Sequence, residues 1–492
     1  MATIIKSYSK LAIINILVSL AALALVVTAC QNTSTGTPQV GRPSPNPSQA
    51  AEATKTSVPQ TRAAPTPQAT AESTIGLSPG DLQDIEVSLW HVWPGTLGTV
   101  FNQLVADFNA TNEFGVQVNA AYQGNYNGLN EKVAAALSNG GVPQIAVGYN
   151  YTLIAWNERA ETLVDLNTYI NDPAWGLSEQ EQSDFYTVFW DQDEVDGLRV
   201  GVPAQQFGLL MYYNATWAQE LGFENPPQSP RQFSQQSCAA AQAKRSNDDL
   251  ADDGTGGWVV NTSPSGVLSW MYAFGSEVVD PQGTGYQMDT SQTEAALAFL
   301  KELHDNGCAW EINGEFAGEE FAGRQALSIT ASIADLPEQS AAFADSNNAD
   351  EWIVMPFPSP AGEPVVDVYG PAFTIFRASE AEQLAAWTFL RWFLSPDVQA
   401  RWVSAGHTFP IRAATMDHLD EFSADHPQWT QALEFIPYAK SEPDLGSWSV
   451  VRWVLSDVGT QMFRPYFTAD RIPATAELLD ETADELHERF EP

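Results

Sequence analysis

The sequence predicts an α/β protein built on open, mostly parallel sheets, and three observations point to it. Strand-like and helix-like periodicities alternate from Ile85 to Asn150. The middle of the chain repeats the strand-then-helix unit, and polar residues gather where its strands end. The carboxyl-terminal part carries apolar stripes at helical spacing. Such alternation is what parallel strands joined by crossover helices produce.

IEVSLWHVW (Ile85 to Trp93) alternates and is rich in strand formers. After Pro94-Gly95, Leu97, Phe101, Leu104, Val105 and Phe108 fall on one helical face. GVQVNAAYQ (Gly115 to Gln123) reads as a second strand. A second helix carries Leu129, Val133, Ala136 and Leu137, and Asn139-Gly140-Gly141 stops it. PQIAVGYN (Pro143 to Asn150) is nearly all apolar, as a strand covered on both faces should be. Further on, LRVGVPAQQFGLLMYYNATW reads as two short strands around Gln205-Gln206-Phe207, then a helix. A strand ending at Asn261-Thr262-Ser263 precedes a helix begun by Pro264. Thr290 to Asn306 is amphipathic, and AWTFLRWFL, VQARWVSAG and WSVVRWVLSDVGTQMF read as helices.

A chain of 492 residues is long enough for two or more domains. Its 61 acidic against 22 basic residues give a net charge of −39. That argues against nucleic-acid partners and against docking on anionic lipid. The amino terminus is more decisive. Lys6 and Lys10 precede an apolar run that is short for a membrane span and ends in Val27-Thr28-Ala29-Cys30. This resembles the lipobox of bacterial lipoproteins, which implies cleavage before Cys30, acylation of that cysteine, and export to the outer face of the cytoplasmic membrane. From Gln31 to about Gly80 the chain has eight prolines and no aromatic residue. That composition cannot repay ordering, so a solvated tether is expected. Cys238 and Cys308 remain, in an oxidising compartment, and a disulfide between them is favoured over two buried thiols.

In open α/β sheets, ligands sit beyond the carboxyl ends of the strands. Trp93 ends the first strand, Tyr122 and Tyr126 follow the second, and Tyr149, Asn150 and Tyr151 follow the third. One such residue is ordinary, whereas three sets at one rim suggest a binding wall. Trp93 is expected to be part of that wall, with Trp90 in the core behind it.

Longer segments carry a family resemblance. FNQLVADFNATNEFGVQVNAAY…EKVAAALSNGGVPQIAVGY, LRVGVPAQQFGLLMYYNATWAQELGFENPPQSPRQF, FAGEEFAGRQALSITAS and AAWTFLRWFLSPDVQARWVSAGHTFPIR occur in the order seen in extracellular solute-binding proteins of bacterial ABC importers, the maltose-binding-protein-like class. Gln144 stands where that family usually has Asp, and a turn that usually carries Trp has only Phe233 nearby. The resemblance runs from about Ile85 to the carboxyl terminus. It implies two α/β lobes joined by a hinge, a ligand in the cleft between them, a monomer, no cofactor, and delivery to permease subunits. The expected division is a signal peptide over 1–29, a tether over 30–80, a first lobe over 81–192 and 332–369, and a second over 193–331 and 370–492. The crossings are expected near Val188–Gly197, Ser332 and Tyr369–Pro371.

Matched motif by motif, the resemblance implies ligand contacts from Trp93, Tyr126, Tyr149, Asn150, Gln206, Phe207, Ser263, Ser332, Gly370, Trp448 and Arg452. Trp448 and Arg452 stand four apart, hence on one helical face. For each of them the structural alternative is packing or an internal ion pair. Flat aromatic walls edged by amides and hydroxyls suit a pyranose, so a mono- or oligosaccharide is expected. Tyr126 and Arg452 also resemble the glycerol-3-phosphate-binding branch, and a guanidinium suits phosphate, so a phosphorylated polyol is the second reading. A secreted carbohydrate-active enzyme is the third. No G-x-S-x-G or H-E-x-x-H occurs, and no carboxylate pair is singled out by spacing. NDDLADDGTGGW resembles a calcium loop with Ala251 at a ligand position, which favours a solvated acidic turn.

Overall fold

The computed structural model describes residues 72–312, 314 and 316–490. The expected signal peptide, Cys30 and nearly all of the tether lie outside the described residues. No described helix is long and apolar enough to cross a membrane.

Strand β1 (Glu86–His91) leads through Pro94 into α1 (Gly95–Thr111), which buries Phe101, Leu104, Val105 and Phe108. Then come β2 (Gln117–Tyr122), α2 (Tyr126–Asn139), β3 (Ile145–Tyr149) and α3 (Asn150–Ala160). The side chain of Asn125 caps α2 by accepting from the Gly128 amide at 2.9 Å, satisfying a donor that has no partner within the helix. After β4 (Val202–Pro203) the chain enters a long strand, β5 (Phe207–Asn214), followed by α4 (Pro230–Arg245), β6 (Gly256–Val259) and α5 (Pro264–Ala273). Ser263 caps α5 through the Gly266 amide at 3.1 Å. Next are α6 (Ser291–Asp305), β7 (Ala309–Trp310), β8 (Ala326–Ser332), β9 (Trp352–Met355), β10 (Val366–Tyr369) and β11 (Pro371–Ile375). The last elements are α7 (Glu380–Phe393), α8 (Pro396–Gly406), β12 (Ala439–Ser441), α9 (Trp448–Met462) and α10 (Ile472–Phe490).

Among the described residues two main sheets result, one to each lobe, beside two small two-stranded ones. The first has the order β2-β1-β3-β11-β4, parallel through β3 and antiparallel at β11. The second has the order β7-β6-β8-β5-β10-β12, with β9 also paired to β5. Its β7-β6-β8 part is parallel, while β5 runs antiparallel to β8, β9 and β10. The sheets are thus mixed, because strands β5 and β11 arrive directly from the other lobe. One core surrounds the first sheet, and two more cover the faces of the second.

The passages between lobes correct the expected boundaries. The first lies at Ala204–Gln206, after β4 has completed the first sheet, and not at Val188–Gly197. Nothing crosses at Ser332. Residues 332–369 stay in the second lobe because β9 and β10 pair with β5. The chain returns through Gly370 into β11, and α7 and α8 pack into the first core. From Phe409 it passes back, with Ile411 still in the first core, to the second lobe, where α9 and α10 belong. The first two passages lie side by side, with the amides of Ala204 and Gln205 donating to the Pro371 carbonyl at 2.9 and 3.3 Å. The third joins them through the Phe409 amide on the Gln206 carbonyl at 2.8 Å. Gly370 is required here, since a Cβ would stand 2.0 Å from the Gln205 carbonyl oxygen.

Candidate functional site

Two adjoining groups of side chains form the site. The first spans the lobes. Tyr126 at the start of α2, Tyr149 at the end of β3 and Tyr151 in α3 converge, with ring centroids 4.6 and 5.4 Å apart along the series. The second lobe answers with Arg452 from α9, which donates to the Tyr151 hydroxyl and lies 5.3 Å over its ring. The same guanidinium reaches Glu442 and the Ser265 hydroxyl, each at 3.2 Å. Glu442 is 3% exposed and also accepts from Ser265 at 2.6 Å and from the Trp448 indole at 2.8 Å. Burial pushes the Tyr149 phenol up to about 12, although Arg452 opposes the shift, so at neutral pH it is a hydroxyl.

The second group lines a cavity of about 680 Å³ beyond the carboxyl ends of β6 and β8. Asn261, Thr262 and Ser263 follow β6, Thr330 and Ser332 come from β8, and Asp335 lies just past it. Tyr369 and Trp453 supply aromatic faces, and Trp453 is 57% exposed. Tyr369 joins the two groups, since burial first and then the neighbouring Tyr149 and Asp367 push its phenol up. Among the described residues lining the cavity are the carboxylates Glu311 and Asp335, and no lysine or arginine.

The sequence-predicted residues divide between cleft and core. Tyr126, Tyr149 and Arg452 meet in the interlobe cluster. Ser263 and Ser332 line the cavity while capping the turns they start, and Phe207 packs on Tyr369 at 5.8 Å. Five residues do something else. Trp93 is 4% exposed, sits 4.5 Å from Phe101 and 4.9 Å from Trp402, and gives its indole hydrogen to Gln205 at 2.6 Å. It is core and not wall, because β1 ends before it and the chain turns it inward beneath α8, whereas Trp90 is only half-buried. Trp448 is fully buried in the second lobe, on the α9 stripe it shares with Val451, Leu455 and Met462. Asn150 is buried and donates to the Gln192 carbonyl at 3.3 Å, which fixes the start of α3. Gln206 is fully buried and Gly370 is packed against Gln205, both within the passages between lobes.

Glu442, Tyr369 and Trp453 were missed as site residues, whereas Tyr151, expected at the rim, meets Arg452 there. For Trp453 a signal existed. It stands five positions from Trp448, about 140° around the helix at 100° per residue, so burying the stripe of Trp448 turns Trp453 outward. Glu442 and Tyr369 have no comparable signal, since only the sheet pairing brings them to α9. Away from the cleft, a disulfide of 1.98 Å joins Cys238 to Cys308. In the acidic loop, Asp252 accepts from Lys244 at 2.9 Å and from Asn247 at 3.1 Å.

Residues 103–432 match the model of a family described as bacterial extracellular solute-binding protein. No relative was found among curated protein sequences. Solved structures share the fold. One is the cyclic alpha-maltosyl-1,6-maltose binding protein from Arthrobacter globiformis, at 21% identity and TM-score 0.69, covering 82% of this chain and 99% of that one. The sugar-binding protein MalE from Xanthomonas citri gives 20% and 0.69, covering 82% and 98%. UgpB from Mycobacterium tuberculosis, in complex with glycerophosphocholine, gives 19% and 0.66, also covering 82% and 98%. At such identities the likeness speaks for the two-lobed fold. With the matched model spanning more than half of its 492 residues, the chain belongs to the bacterial extracellular solute-binding protein family.

Proposed function

We propose that the protein captures a carbohydrate between its lobes and delivers it to an ABC importer, while held to the outer face of the cytoplasmic membrane by acylated Cys30. The observation that carries the ligand class is the lining of the cavity. Trp453 and Tyr369 offer flat faces to apolar ring surfaces. Asn261, Thr262, Ser263, Thr330 and Ser332 offer donors and acceptors to hydroxyls. A phosphate would need a countercharge there. The nearby Arg452 is already engaged by Glu442, and the carboxylates Glu311 and Asp335 would repel an anion. Tyr126 and Tyr149 face the cleft from the first lobe and would complete the enclosure when the lobes close. The reading is one of binding without turnover.

Titration calorimetry against glucose, maltose, maltotriose, glycerol 3-phosphate and glycerophosphocholine tests it. A saccharide should bind with exothermic, saturable heat and be recovered unchanged. Binding confined to the two phosphate compounds would overturn the carbohydrate reading, and recovery of a cleaved sugar would overturn the binding-only one.

A further inference from the structure

Beneath the interlobe cluster lies a carboxyl group that the capture of a sugar leaves unused. Asp367, in β10, is fully buried, and neither of its oxygens has a hydrogen-bond partner. A buried carboxylate without partners is costly, whereas a carboxylic acid is not. The groups around it come from every neighbouring element. Glu442 follows β12 and Arg452 comes from α9, while Tyr272 lies on α5, which packs against α9, and Tyr369 on Asp367's own strand. Lys440, its register partner in β12, is held away by Glu277 at 2.6 Å and sits 4.2 Å over the Tyr272 ring. Leu209, opposite it in β5, is apolar. The one guanidinium near both carboxyl groups is paired with Glu442 alone, and it is the group that reaches Tyr151 in the other lobe.

We infer, from closure of the lobes alone and whatever the ligand, that Asp367 is a proton-controlled positioning residue of the interlobe clasp. While Asp367 carries a proton, Arg452 divides itself between Glu442 and Tyr151, and the lobes are held together. When Asp367 ionises, the guanidinium is drawn toward a second negative charge, Tyr151 loses its donor, and the lobes part. The proton passes to solvent and no other bond changes. Burial first, and then Glu442, push Asp367 well above the ordinary carboxylate range, with Arg452 opposing. Opening frees the guanidinium from Tyr151 for the Asp367 carboxylate and so lowers that value, and the closed state therefore binds the proton more tightly. Closure is then favoured on the acid side. It weakens by up to tenfold per pH unit between the open-state and closed-state values, the limit for one proton.

The test uses the full chain carrying two genetically encoded fluorophores, one at Asn139 in the first lobe and one at Leu250 in the second, with no ligand added. Energy transfer is followed from pH 5 to pH 9. The wild type should lose transfer as pH rises, with a slope no steeper than one proton, and Asp367→Asn should stay closed throughout. A flat wild-type curve overturns the inference, as does an Asp367→Asn curve that titrates like wild type. If Asp367→Asn does not fold, Tyr151→Phe decides. With no hydroxyl to lose, it should show no pH-dependent step, and a step of wild-type size overturns the inference. A purely structural role for Asp367 would change the melting temperature without moving either profile.

Discussion

Replacing Trp448 by alanine separates a core tryptophan from a cleft tryptophan. The side chain is fully buried, its ring centroid lies 6.0 Å from that of Tyr286, and its indole donates to Glu442 at 2.8 Å. Truncating a buried tryptophan costs about 3–5 kcal/mol, from lost transfer energy and the cavity left behind. Glu442 would keep Ser265 and Arg452 on Oε1, but its buried Oε2 would lose the indole, which adds about 1–3 kcal/mol. A cooperative unit of about 150–250 residues loses roughly 2–4 °C per kcal/mol, so a total of about 4–8 kcal/mol should lower the melting midpoint by about 8–32 °C. Calorimetric melting and urea titration of wild type and Trp448→Ala measure the loss directly. An unchanged midpoint with binding abolished would show that α9 presents Trp448 to the cleft, and the assignment of its buried stripe would be wrong.

Trp453→Ala should behave in the opposite way, weakening saccharide binding roughly ten- to a hundredfold with stability within about 0.5 kcal/mol of wild type. Calorimetry and melting on the same sample compare the two. Reducing the Cys238–Cys308 bridge should cost about 4 kcal/mol, from the chain entropy of a loop closed over a sequence separation of 70. Thiol titration of denatured, unreduced protein should find neither cysteine free. Asp172 accepts from Ser73, Thr74 and Ile75 and so pins the start of the described chain. Burial opposes its ionisation, but the amides of Trp175, Ala174 and Thr74 outweigh it and hold the carboxyl down at about 2. Its contribution is therefore present above the ordinary carboxylate value and lost as pH falls from about 4 toward 2. Urea midpoints at pH 5 and pH 2.5 should converge in Asp172→Asn relative to wild type. Cys30→Ala should move the protein from the membrane fraction to the soluble one, and unchanged retention would exclude the lipid anchor.

Local pattern made the first lobe legible. The alternation in β1, the stripe of α1 and the apolar run of β3 each follow from contacts within a few residues. Where Gln144 replaces the expected Asp, it still does local work, accepting from Ser88 at 2.6 Å and donating to Glu382 at 3.1 Å. The lobe boundaries were less legible, because whether β9 and β10 join one sheet or the other is decided by pairing with β5, more than a hundred residues away. Trp93 and Trp448 misled for a related reason. Position at a strand end, or beside an arginine, says nothing about which way a turn or a helix is rolled. The tyrosines did better, because three of them near successive strand ends can meet only at the rim.

The three passages at Gln205–Gln206, Gly370 and Phe409 have a consequence for how this protein can change over time. Their amides and carbonyls are matched residue to residue, so a residue inserted in one would shift it out of step with the other two. Segments far apart in sequence are thus locked to a common length, and growth of the protein must be accommodated elsewhere. The join between the lobes is therefore the part of the chain least free to vary in length, although it is assembled from three segments more than 35 residues apart.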